Sequence, residues 1–213
     1  MHPLACQACT IESMSPEEEA WLASLRPSRI RDVQAGALAW TTVDVIDVDT
    51  GEGAAIRPAL EAFGIRVNLL RVGQARQLVA ALGGEATAPF VVVACHGDEG
   101  TIVIPELAEE MERFQPFRRR CGPRELRTFT RLSGNVVIAT GCETGTPELA
   151  EVFLTGGASA YVAPAGAPFG YASVFAPIFL FYELVERRSL EQAVERLRAH
   201  DAELAMWRLF RRD

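Results

Sequence analysis

"VVVACHGDEG" (91–100) and "NVVIATGCETG" (135–145) decide how this chain is read. Each is a run of apolar, mostly β-branched residues that empties into a polar side chain bordered by glycine. A run without alternation is expected of a central strand buried on both faces, the usual setting in parallel sheets. The flanking segments agree. "TVDVIDV" (42–48) and "IRVNLLRV" (65–72) read as strands, "AAIRPALEAFG" (54–64) and "QARQLVAALGG" (74–84) as helices stopped by glycine. Downstream, "TIVIPEL" (101–107) reads as a short strand and "PRELRTFTRL" (123–132) and "TPELAEVFLTG" (146–156) as helices. "ASAYVAP" (158–164) reads as a strand, with two closing helices over 172–187 and 189–209. Strands alternating with helices predict an α/β fold, a three-layer α/β/α sandwich on a mainly parallel sheet.

The composition limits what such a fold can serve. The chain has 213 residues, a formal charge of −7 and a pI near 5.1, with no lysine. An acidic surface argues against nucleic-acid partners, which need a basic stripe. The longest apolar stretch, "VFAPIFLFYELV", is too short to span a bilayer and is broken by Pro177 and Glu183. The N-terminus has neither the basic nor the apolar region of a signal peptide. Five cysteines in no framework spacing suggest a reducing compartment, so the expectation is a soluble cytoplasmic protein. Residues 1–39 read as an extension and 40–213 as the main domain. In the extension, Ser15, Pro16 and Glu18 supply the N-cap, N1 and N3 residues of a short helix, and "RPSRIRDVQAG" follows as linker.

Ligands of open parallel sheets bind beyond the carboxyl ends of the strands. His96 and Cys142 each follow a buried strand and so belong on that rim. Gly97 borders the histidine, and Gly141 and Gly145 the cysteine. Glycine admits tight turns and the close approach of a substrate backbone. A helix after Cys142 would aim its N-terminal amides at the sulfur and favour thiolate. These are the parts of a cysteine nucleophile with a histidine acid/base, and the N–H groups of Gly97 and Cys142 would form an oxyanion hole. Taken singly, His96 reads better as a polar strand end and Cys142 as a small buried hydrophobe. Their matching positions favour the chemical reading. Papain-like enzymes and class I glutamine amidotransferases place cysteine before histidine; here histidine comes first, at close to the ~50-residue spacing of caspases.

"VVVACHGDEGTIVIPEL", "NVVIATGCETG", "ELAEVFLTGGASAYVAP" and "FAPIFLFYELVERRSLEQAVERLRAHDAEL" resemble, in order, the CHAT branch of caspase-like proteases. The resemblance runs from about residue 42 to 207. It implies a caspase-like sheet, His96 and Cys142 as a catalytic dyad, and peptide-bond cleavage; the dyad chemistry requires no metal or cofactor, and the calcium activation of some caspase relatives stays open. It implies a protein or peptide substrate in regulated proteolysis, in bacterial signalling or defence. There are departures. The caspase Gln-Ala-Cys-x-Gly signature is absent. Pro164 and Pro168 stand where many CHAT domains have tryptophan. No helical repeats precede the domain, so an activating partner protein would take their role.

Asp98, Glu99 and Glu143 cluster on the same rim; Asp98, Glu143 and Pro164 are the expected substrate-pocket residues. The acids would orient His96, attract a basic side chain or simply be solvated loop ends, and Thr140-Gly141 stands where metacaspases have the aspartate that reads basic substrates. Cys95 should point away from His96 into the core. Cys121, in "FRRRC" (117–121), is expected to be exposed, and that arginine run offers a self-processing site, a docking patch or a solvated loop. His200 is expected on a solvated helix face. Cys6-x-x-Cys9 with His2 is half of a metal site without its second pair and reads better as tail. The competing reading of the whole chain is an inactive caspase-like interaction or scaffold module.

Overall fold

The computed structural model describes residues 15–17, 20–21 and 41–212. The chain divides into two compact units, Met1–Leu38 and Ala39–Asp213. In the first, residues 16–17 and 20–21 are helical, as Ser15-Pro16 suggested; Glu18, the Cys6/Cys9 pair and His2 lie outside the described residues.

The second unit carries eight strands. Six form the main sheet in the order β2 (Arg66–Arg71), β1 (Thr42–Val48), β3 (Phe90–Asp98), β6 (Val136–Ala139), β7 (Ala160–Pro164), β8 (Trp207–Arg211). All neighbours in this row are parallel except β7 and β8. β4 (Thr101–Val103) and β5 (Arg120–Cys121) extend β3 as a small antiparallel sheet beyond its carboxyl end.

Alternate residues of the central strands feed two cores. Val91, Val93, Val137, Ala139 and Tyr161 meet α2 (Ala75–Ala80), α4 (Pro123–Phe129) and α5 (Pro147–Thr155) on one face. Val43, Val45, Val92, Ile138 and Val162 meet α1 (Glu52–Ala62), α6 (Gly170–Val185) and α7 (Leu190–Arg198) on the other. A short α3 (Glu109–Glu112) completes the set. This is the three-layer α/β/α sandwich read from the sequence. Each fully buried valine, leucine or isoleucine contributes about 1.5–3 kcal/mol relative to exposure, so the central strands dominate the driving force.

Three details differ from the sequence reading. β1 alternates apolar and polar residues in sequence yet is buried almost throughout, Asp44 and Asp47 included. Asp44 accepts hydrogen bonds from Asn68 Nδ2 and Ala88 N–H, each at 2.8 Å, and Asp47 accepts from Thr50 and Gly51 in the β1–α1 turn. The strand at "TIVIPEL" stops at Val103, two residues before Pro105, which brings no N–H to a ladder. The closing helix, starting from a Ser189–Gln192 capping box, ends at Arg198 rather than 209. Asp201 then accepts Leu204 N–H at 2.8 Å and starts a new turn. "WRLFR" follows as an antiparallel edge strand that sends Trp207 fully into the core.

Candidate active site at the ends of β3 and β6

β3 outruns its parallel neighbours. Its register with β6 ends at Val93–Ala139 and with β1 at Cys95–Val48. His96, Gly97 and Asp98 then pair antiparallel with Val103, Ile102 and Thr101. The two-residue turn between them has positive φ at both Glu99 (47°) and Gly100 (73°), the signature of a type I′ hairpin. Its closing pair, Asp98–Thr101, is hydrogen-bonded. Gly97 and Ile102 are therefore the non-bonded pair, and Gly97 N–H points away from β4.

The same alternation sorts the small sheet into two faces. His96, Val103 and Arg120 stand in one cross-strand row. Ile102 and Cys121 stand in the next and are buried against the core. Cys121 is thus not exposed, as its arginine neighbours suggested, but fully buried, and burial pushes its thiol well above the ordinary range. Cys95 is buried too, its thiol pushed up to about 12, chiefly by desolvation. Neither is a nucleophile at neutral pH.

At the end of β6 nearly every residue of the loop is tied down. Thr144 Oγ1 donates to Gly141 C=O at 2.6 Å, Glu143 N–H to Gly166 C=O at 2.8 Å and Gly145 N–H to Pro164 C=O at 2.7 Å. Tyr161, buried and stacked on Phe153, donates its hydroxyl to Thr144 C=O at 2.9 Å. Thr146 caps α5 by accepting Leu149 N–H.

The two strand ends meet through backbone. A Cβ on Gly97 would lie 2.1 Å from Cys142 C=O and 2.9 Å from Cys142 N. A Cβ on Gly141 would lie 2.9 Å from Cys95 Sγ and 3.0 Å from Gly97 N. Only glycine at both places lets the main chain beside His96 touch the main chain of Cys142. His96 is exposed and Cys142 half-buried on this rim.

One electrostatic expectation is corrected. The Cys142 thiol is raised rather than lowered: burial is the largest cause, its own backbone N–H opposes it, and the carboxylates of Glu143 and then Glu52 add lesser rises. α5 begins only at Pro147, so the helix terminus stands too far along the chain to dominate. A resting thiol needs a base before it can attack.

The expected pocket residues separate. Asp98 and His96 line a cavity of about 430 Å³ with Val48, Val103, Arg119 and Arg120. Asp98 is ion-paired with Arg120, whose guanidinium is also 3.6 Å from Glu99, and Arg119 pairs with Glu106. Glu143 accepts Glu99 N–H at 2.9 Å and so ties the hairpin turn to the Cys142 loop. Pro164 is buried at the end of β7 and lies outside that cavity. His200 is half-exposed, as expected, but lies past the end of α7 rather than on its face, and rests against Phe175 and Phe179.

Glu52, just ahead of the helix read at 54–64, draws no attention in the sequence, and Thr140 draws it only where metacaspases carry an aspartate. In the fold, Glu52 accepts Thr140 Oγ1–H at 2.9 Å and also the Ser173 hydroxyl. Among the described residues no three His, Cys, Asp or Glu gather as a metal site, and no helix is long and apolar enough to cross a membrane.

No protein-family model matches the sequence, and no curated protein matches it either. Solved structures do. The Arg-specific cysteine proteinase gingipain R superposes with a TM-score of 0.53 at 12% identity, over 81% of this chain and 46% of its own. Separase in the Saccharomyces cerevisiae separase–securin complex gives 0.49 at 11%, over 80% of this chain and 11% of its own. A Francisella response-regulator receiver domain gives 0.35 at 13%, over 69% and 98%. This chain thus spans less than half of the gingipain chain. At such identities the likeness is one of architecture, and the architecture is the caspase-like α/β fold.

Proposed function

We propose that this chain is a cysteine endopeptidase of the CHAT type, with His96 and Cys142 as its dyad. The observation that carries the reading is the glycine-mediated contact between the ends of β3 and β6, where Gly97 touches the Cys142 main chain. In this reading His96 takes the thiol proton and Cys142 Sγ attacks the scissile carbonyl. The N–H groups of Gly97 and Cys142 receive the oxyanion. His96 returns the proton to the departing amine, and water then hydrolyses the acyl-enzyme. The raised Cys142 thiol suits this sequence, since proton removal becomes the histidine's task. The cavity beside His96 would receive part of a protein substrate. Its acids are poor anchors for a basic side chain, because Arg120 already holds Asp98 and Glu99. The same raised thiol is what favours the second reading, a domain that binds without cleaving and keeps Cys142 inert.

Iodoacetamide labelling across pH, quantified at each cysteine, tests both. We expect Cys142 to label well ahead of Cys95 and Cys121, and His96→Ala to slow it roughly tenfold or more near neutral pH. Protein fragments released by the wild type and not by Cys142→Ala complete the test. A Cys142 indifferent to His96, with no cleavage, hands the chain to the scaffold reading.

A further inference from the structure

We propose that Glu52 is a positioning residue for the His96–Cys142 pair, acting through Thr140. This inference rests on the protease reading and extends it to a side chain far away in sequence. Glu52 opens α1, just after the turn that leaves β1. Its carboxylate accepts Thr140 Oγ1–H at 2.9 Å and the Ser173 hydroxyl of α6. Thr140 in turn accepts Cys95 N–H at 3.3 Å, and its own N–H bonds Val93 C=O at 3.0 Å. Cys95 directly precedes His96, and Thr140 stands two residues before Cys142. One hydroxyl therefore joins the two strand ends where the parallel ladder has run out, and one carboxylate orients that hydroxyl.

The chain of bonds has a required direction. The hydroxyl must accept from Cys95 N–H, so its single proton has to go elsewhere. An ionised carboxylate only accepts, which fixes the proton on the Glu52 side and leaves the lone pair for the amide. A neutral side chain of the same size would orient the hydroxyl less strongly. Its charge also adds, after burial and Glu143, to the rise of the Cys142 thiol. Glu52 thus aligns the pair through Thr140.

The test is Cys142 alkylation by iodoacetamide in the full chain, with and without His96→Ala, in three backgrounds: wild type, Thr140→Val and Glu52→Gln. Each variant's melting temperature is recorded alongside. Thr140→Val removes the hydroxyl at nearly constant volume. The His96→Ala effect, roughly tenfold or more in the wild type, is expected to shrink below about threefold there, and Thr140→Ser to restore it. Glu52→Gln removes the charge; it is expected to move the labelling midpoint of Cys142 to lower pH and to shrink the His96 effect as well. Should Thr140→Val fail to fold, Glu52→Gln and Thr140→Ser carry the test. A full His96 effect and an unmoved midpoint in Glu52→Gln overturn this inference and leave the protease reading standing. No His96 effect in the wild type overturns both.

Discussion

Gly97 is the residue on which the geometry turns. Any β-carbon there would stand 2.1 Å from Cys142 C=O, against backbone that cannot swing aside. Gly97→Ala must therefore part the ends of β3 and β6, and we expect a loss of about 1–3 kcal/mol, the usual cost of overpacking. Urea denaturation measures that loss, and Cys142 labelling should lose its dependence on His96 at the same time. A variant as stable and as reactive as the wild type would mean that the contact is slack. His96, Gly97 and Cys142 were legible because their chemistry is written beside their strands. Glu52 was not: its partners Thr140 and Ser173 are distant in sequence and meet it only after α1 and α6 cover the same face. Cys121 was misjudged because three arginines precede it. In a strand, the neighbours of an inward side chain are outward ones, so a basic run says little about the residue that ends it.

At the scale of elements, the strand–helix order was legible from apolar periodicity, and the two strands it missed share a cause. β5 and β8 are stabilised by long-range pairing with β4 and β7, which no local window contains. The Cys142 loop depends on similar long-range ties. Tyr161 lies on β7, beneath that loop, and reaches Thr144 C=O with its hydroxyl while its ring stacks on Phe153 at 4.7 Å between centroids. Tyr161→Phe keeps the stack and removes the donor, leaving a buried carbonyl short of a partner. The expected cost is about 1–3 kcal/mol, read by chemical denaturation. The Cys142 labelling rate is expected to drift as the loop loosens. If stability is unchanged, the carbonyl has found water, and the loop is held by its own backbone bonds instead.

Over the whole molecule, stability and site geometry draw on different parts of one long helix. α6 meets the site near its start, where Ser173 holds Glu52, and is locked to α7 near its end through Glu183. Glu183 is almost fully buried and lies 2.9 Å from Arg188 and 2.7 Å from Arg196, contacts that work as ion pairs. The two arginines are partly solvated, so the partners are unequal. Removing Glu183 leaves cations that water can reach, whereas Arg188→Ala combined with Arg196→Ala strands a buried carboxylate. The double arginine variant should therefore be the more damaging, by about 3–5 kcal/mol, with Glu183→Ala well below it. Ten residues of helix, about 15 Å, separate this lock from Ser173. Effects that far apart without shared partners usually add. In conditions where the double variant remains folded, its melting temperature should fall while the rate and His96 dependence of Cys142 labelling stay at wild-type values. Labelling that falls in step with stability would instead make α6 a rigid lever, coupling the outer helical layer to Cys142 through Ser173 and Glu52.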